Sequence, residues 1–224
     1  MFFFAAHITS KKSIICMAEA PTFLVPLYDA NEGYGLTDYS GNSRDPSAVG
    51  SFTLDTNSPR YTSALVFNGS VSKYIRLGGH VPYLQSGYTL SIRFKTTRTD
   101  TAQVLLDNAK YQNYGCRILI GTNNHVRVAH GYGDGNYSLD GSIVETDRWY
   151  MLTTTWDKSK LRLYLDGVLD AEMDAPETFT RNPDYEWLIV GKTSYRCTET
   201  NYSYAYPLYG AACDARVYCT ALSA

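Results

Sequence analysis

Charge of either sign is spread thinly along this chain. Its 224 residues carry 20 Lys+Arg against 22 Asp+Glu, a formal net charge of −2, and no run of basic residues. A nucleic-acid surface or an acidic-membrane surface needs a basic patch, so neither is expected as a partner. No apolar stretch approaches the ~20 residues of a bilayer-spanning helix, so membrane insertion is not expected either. There is no CxxC and no Cys/His spacing suited to zinc. The four histidines, His7, His80, His125 and His130, are too scattered for a catalytic triad or a metal site. His125 and His130 read as ordinary strand or loop residues.

A convincing secretory signal is also missing. The apolar run Phe2 to Ala6 precedes Lys11 and Lys12, the reverse of the basic-then-apolar order of a signal peptide. Residues 1–16 therefore read as an extension outside the fold, with Met17 a candidate start and residues 17–224 one domain. Asn68, Asn136 and Asn201 open Asn-x-Ser sequons, which carry little weight without such a signal. The five cysteines, Cys16, Cys116, Cys197, Cys213 and Cys219, cannot all pair internally. Cys213 and Cys219 fall on one expected strand, about 20 Å apart at ~3.3 Å per residue, beyond the roughly 7 Å limit for a disulfide. Buried free thiols are the simpler expectation.

Tyrosine is what the chain has in excess: 20, against 8 Phe and 3 Trp. Aromatics suit pleated surfaces, so some belong to strands; tyrosines in loops suit recognition surfaces instead. Hydrophobic content of 44% is enough for a full core, and a single all-β domain commonly runs to roughly 200–250 residues.

The run from Arg148 to Ala171 organises the rest. Asp157 to Lys160 is a polar break between two β-prone runs, and Asp166-Gly167 is a second turn signal. Between them Leu161, Leu163 and Leu165 alternate with Arg162, Tyr164 and Asp166, the period of a half-buried strand. A two-residue Asp-Gly loop would set Leu163 against Asp170, mixing a core residue with a carboxylate on one face. A three-residue loop, Leu165 to Gly167, sets Leu163 against Leu169 and Leu161 against Ala171, so the three-residue loop is expected, with Leu169, Ala171 and Met173 on the core side. The product is an antiparallel meander.

Trp149 opening a strand, Asp157 at the turn and Leu163 to Gly167 closing a hairpin resemble the centre of the laminin-G-like jelly rolls of the concanavalin A-like lectin/glucanase superfamily. Further segments resemble that family in order. They are Pro21 to Tyr28 with the Asp38 to Asn42 turn, Ser63 to Gly69 with Tyr74 to Leu77, Gly87 to Phe94, Trp187 to Gly191, and Tyr209 to Tyr218 with Ala221 to Ser223. The strand Pro21 to Tyr28 reads as an edge strand because Pro26 removes a donor. Short strands over Val104 to Leu106, Cys116 to Gly121 and His125 to Ala129 fill the spacing of a sandwich. The resemblance implies an all-β fold, a two-sheet antiparallel β-sandwich of the jelly-roll, concanavalin A-like type. It says less about function, because this architecture hosts lectins, enzymes and structural modules alike.

Glucanases of that superfamily present Glu-x-Asp-x-Glu on one strand face, and this chain has no such motif. The nearest approach, Asp170, Glu172 and Asp174, reads as the solvated side of a strand, so no catalysis is expected. The family's structural calcium is held partly by an Asp on the closing strand. Here that position is Cys213, a poor calcium ligand, with Asp214 one place later and so expected on the other face. No metal or cofactor is expected; Asp29, Asp38 and Asp214 are the fallback ligands for calcium. Trp149, Trp156 and Trp187 fall in strands and read as core.

Two tyrosine-bearing loops remain. The first, a flexible segment from Gly131 to Tyr137, offers Tyr132, Asp134, Asn136 and Tyr137; the second, from Ser194 to Tyr209, offers Tyr195, Arg196, Asn201, Tyr202 and Tyr204. Flat rings stack on sugar C–H faces while short amides and carboxylates bond hydroxyls. The expectation is a non-catalytic module that binds carbohydrate or glycoprotein, in an extracellular, cell-surface or virion setting. The second reading is a protein-interaction or assembly module, self-associating as a homo-oligomer.

Overall fold

The computed structural model describes residues 23–25, 36–40, 45–60, 63–77, 84–109, 113–175, 177–180, 188–194 and 205–223. Its strands are β1 (Phe23–Val25), β2 (Ser47–Val49), β3 (Thr53–Asp55), β4 (Ala64–Asn68), β5 (Tyr74–Leu77), β6 (Tyr88–Thr96), β7 (Gln103–Asp107) and β8 (Cys116–Ile120). They continue as β9 (His125–Gly131), β10 (Asn136–Ile143), β11 (Trp149–Trp156), β12 (Lys160–Leu165), β13 (Val168–Asp174), β14 (Leu188–Val190) and β15 (Tyr209–Tyr218). The one helical turn described is 3₁₀, over Leu84–Ser86. No helix among the described residues is long and apolar enough to cross a membrane.

The strands form two antiparallel sheets. The larger has the order β13-β12-β11-β6-β15-β4-β3, with β1 also on β15; the smaller has β10-β9-β8-β7-β14-β5-β2. Alternation explains how they pack. Leu90, Ile92 and Phe94 of β6 stand opposite Thr154, Leu152 and Tyr150 of β11 and point inward with Leu161 and Leu163 of β12. Ile118, Ile120, Val126 and Val128 meet them from the smaller sheet. The expected all-β sandwich is therefore what the chain forms. Trp156 is fully buried, whereas Trp149 lies on the outer face beneath Lys95. Trp187 lies outside the described residues.

Besides that of Trp149 in the core, three local expectations need correction. The turn between β12 and β13 is a two-residue loop: Asp166 and Gly167 have φ of 53° and 83°, and Leu165 pairs Val168. A bulge between Leu163 and Tyr164 then restores the faces, so Tyr164 pairs Leu169, Asp170 is the extra residue, and Leu163 pairs Ala171. Consequently Leu169 is not core but 51% exposed. Second, Asn136 and Tyr137 are not loop residues. They open β10, paired with Gly131 and His130, a strand missing from the sequence reading. Third, Asp214 does not turn to the face opposite Cys213. Between the core residues Ala212 and Ala215 the ladder to β6 slips, and Asp214, at φ 55°, stays on the outer face beside Arg93 and Arg216.

None of Cys116, Cys213 and Cys219 is in a disulfide, and the first two are buried. Cys16 and Cys197 lie outside the described residues.

Candidate ligand-binding site

The first tyrosine loop is the tip of the β9–β10 hairpin. His130 and Gly131 end β9, Tyr132 to Gly135 make the turn, and Tyr132 N donates to Gly135 O at 3.0 Å. A positive φ of 99° at Gly133 suits glycine there. The rings of Tyr132 and Tyr137 lie 5.3 Å apart at 55°, both half-buried, forming a tilted pair rather than a flat stack. Asp134 is exposed beside them, and Asn136 is half-buried. Four of the expected site residues are thus brought together on one hairpin end.

The base of that hairpin is tied down. Gly131 N donates to Gly115 O, Gly133 N to Asn113 O, Thr180 N to Gly131 O and Gly115 N to Thr180 O, at 2.7–3.1 Å. A Cβ on Gly131 would fall 2.4 Å from the Asn113–Tyr114 backbone, so the close approach requires glycine. One residue earlier, His130 is wholly buried. Its Nε2 donates to the Thr178 carbonyl, so its Nδ1 accepts from the Tyr88 hydroxyl, both at 3.1 Å. Trp156 and Phe179 flank the imidazole at 4.7 and 5.2 Å between centroids. Burial pushes its pKa down to about 4, with the Thr178 carbonyl opposing. The part played by Thr178, Phe179 and Thr180 had no signal in the sequence, because they act through backbone groups and packing.

Tyr195, Arg196, Asn201, Tyr202 and Tyr204 lie outside the described residues. The chain on either side of them is held together, with Thr193 N donating to Ala205 O at 2.9 Å. Ser194 bonds the Ala109 carbonyl and Asp107, next to the 113–115 connection that supports the hairpin tip.

The acidic groups are placed for ion pairing. Glu172 accepts from Lys160 Nζ at 2.7 Å and Arg162 Nε at 2.6 Å, and these partners hold its carboxyl below the usual range. Asp174 lies 3.5 Å from the same lysine. Asp170, pushed out by the bulge, accepts from the backbone and hydroxyl of Ser142 on β10, where Gly141 leaves room for it. A glycosidase acid needs its carboxyl raised, whereas Asp55, Asp100, Asp140, Asp157 and Glu172 are all shifted down.

Of the fallback calcium ligands, Asp214 is engaged by cations. Asp214 is 2% exposed and surrounded by arginines, with Arg216 bidentate at 2.8 and 2.9 Å and Arg60 and Arg93 at 3.3 and 3.5 Å. Asp38 accepts from the backbone and hydroxyl of Ser40. Asp29 lies outside the described residues. Among the described residues no three His, Cys, Asp or Glu side chains cluster as metal ligands.

No curated protein matches the sequence. Among solved structures, the fold is similar to the binding domain of botulinum neurotoxin serotype D (TM-score 0.65, 16% identity, 91% of this chain and 49% of that one). It is also similar to the neurotoxin DC binding domain solved with rat synaptotagmin II (TM-score 0.66, 12% identity, 91% and 49%). The same neurotoxin domain solved with SialylT gives TM-score 0.66 and 12% identity over 91% and 48% of the two chains. The chain thus spans about half the length of these structures, and at such identity the likeness is one of fold. A family profile described as the concanavalin A-like lectin/glucanases superfamily matches residues 68–224. With the two-sheet antiparallel sandwich described above, this chain belongs to the concanavalin A-like lectin/glucanases superfamily.

Proposed function

We propose that this domain is a non-catalytic binding module for carbohydrate or glycoconjugate, acting at an extracellular, cell or virion surface. The observation that carries this reading is the Tyr132–Tyr137 pair on an anchored hairpin, with Asp134 exposed beside it. Two rings at an angle offer C–H contacts on more than one side of a sugar, while Asp134 and Asn136 supply hydroxyl partners. Tyr195, Arg196, Asn201, Tyr202 and Tyr204 are further candidate ligand contacts in this reading. The hydrogen-bonded base costs the binding event little ordering entropy.

A second reading, protein interaction or self-assembly, is favoured by one feature. Ile143 on β10 and Val168 and Leu169 on β13 are 59%, 70% and 51% exposed, on the strands that end the two sheets. Solved structures of similar fold carry SialylT in one case and rat synaptotagmin II in another, so likeness alone does not choose between the readings. A glycan array with Tyr137→Ala and Tyr202→Ala beside the wild type makes the choice. Selective binding lost in either variant supports the sugar reading. A blank array, with self-association by light scattering, refutes it in favour of assembly.

A further inference from the structure

Towards the β2 end of the smaller sheet, three hydrogen-bond donors meet around one ring. Tyr74 and Arg76 alternate with the core residues Ile75 and Leu77 along β5, so they point out of the sandwich, where β5 lies between β14 and β2. Two cations share the Tyr74 ring. Lys192, two residues beyond β14, sets its Nζ over the ring, 4.0 Å from the centroid. Arg76 Cζ lies 5.5 Å from the same centroid, and Arg76 Nη2 donates to the Tyr74 hydroxyl at 3.0 Å.

Negative charge is what the cluster lacks. Lys192 is only 6% exposed, yet among the described residues no carboxylate pairs with it, and none pairs with the exposed Arg76. The Lys192 Nζ is not among the buried polar atoms without a partner, so the stem is covered and the charged tip reaches solvent. Asp107, on β7 beside β14, gives its carboxylate to Arg117 and the Ser194 N–H. Asp45, just ahead of β2, takes the N–H of Asp38. The Tyr74 oxygen accepts from Arg76, which leaves its own proton to donate. Two like charges held on one ring repel, and a largely covered ammonium without a counter-charge is costly.

We propose that Lys192, Arg76 and Tyr74 form a binding site for one oxyanion, a carboxylate or a sulfate group. Every group the site offers is a donor, and two of the three are charged. An oxyanion accepts from several donors at once and relieves the repulsion between the cations. A neutral ligand would leave both charges unbalanced, and a cation would add to them. Five strand spacings, roughly 24 Å at ~4.8 Å each, separate β5 from β10 in the sheet, so this site is distinct from the tyrosine hairpin whatever that hairpin binds.

The Lys192 Cε–Hε and Tyr74 ring resonances of the intact chain, followed during titration at constant ionic strength, test this without interference from screening. Sodium sulfate serves as the free ion, and glucuronate, with glucose beside it, as a carboxylate borne on a larger molecule. Saturable shifts with sulfate or glucuronate, and none with glucose, are expected. Sulfate binding marks a site for a free ion; binding of glucuronate alone marks one for the acidic group of a larger ligand. Lys192→Met, which keeps the buried stem, and Arg76→Gln, at an exposed position, should each weaken binding about tenfold or more, roughly the worth of one charge-assisted hydrogen bond. Signals that stay still with both anions overturn the proposal. So do shifts that glucose reproduces, or an Arg76→Gln protein that binds as tightly as the wild type.

Discussion

Acidification should unfold this protein earlier than its carboxylates alone would require, because of His130. The imidazole projects from β9 of the smaller sheet and is wholly buried against Tyr88 and Trp156 of the larger one. It is neutral there, with its one N–H donated to the Thr178 carbonyl and its other nitrogen accepting a hydrogen bond from the Tyr88 hydroxyl. Burial lowers its pKa from 6.5 to about 4. The folded pKa is depressed, so this contribution to stability is complete above the unfolded value and is lost as pH falls towards 4. In that window the unfolded chain takes up a proton that the folded chain refuses. A shift of 2.5 units, the difference of those two values, at ~1.36 kcal/mol per unit makes the loss about 3 kcal/mol. Urea unfolding at a series of pH values between about 7.5 and 4 measures it, with His130→Gln beside the wild type. Glutamine keeps a donor and an acceptor but does not titrate. The variant should be weaker at neutral pH and should lack most of the slope between 6.5 and 4. Equal slopes in the two proteins would refute the reasoning.

Three other expectations follow from single positions. Gly210, at φ 145°, would place a Cβ 1.9 Å from the Lys95 carbonyl oxygen, so Gly210→Ala should cost about 3 kcal/mol or more in chemical denaturation, through overpacking and strain together. Asp214→Ala leaves the half-buried Arg216 without its bidentate partner and should cost about 3 kcal/mol; an unchanged urea midpoint would show the cluster to be ornamental. Burial pushes the Cys213 thiol up to about 12 and Cys116 higher still. Both should therefore resist iodoacetamide in the folded protein at mildly alkaline pH and react once unfolded, as read by peptide mass mapping.

The sequence was most informative where the physics is local. Leu161, Leu163 and Leu165 alternating with polar residues are enough to specify a strand and its buried side, and all three pack on or within the core. Asp157 is enough to specify a turn, since its carboxylate takes up the backbone N–H groups of Ser159 and Lys160. Asp-Gly likewise identified a hairpin, but not its loop length. The reasoning that Leu163 cannot share a face with a carboxylate holds; the chain satisfies it with a bulge at Asp170 rather than a longer loop. Both solutions keep the faces, and what separates them is the bond from Asp170 to Ser142 on the neighbouring sheet edge, which no local pattern contains.

The candidate site divides in the same way. Side-chain chemistry alone singled out Tyr132, Asp134, Asn136 and Tyr137. That two of them belong to a strand depends on pairing with Gly131 and His130, and mixed polar-aromatic sequence gives no period for it. The Asp214 cluster joins Arg60, Arg93 and Arg216 from separate parts of the chain. Alternation and turn chemistry therefore marked the chain as antiparallel β, and the resemblance in its motifs implied the two-sheet sandwich. Register, bulges and the distant partners of buried polar groups were decided by the packing of one sheet on the other, because each depends on atoms far apart in sequence that only the folded chain brings within bonding distance.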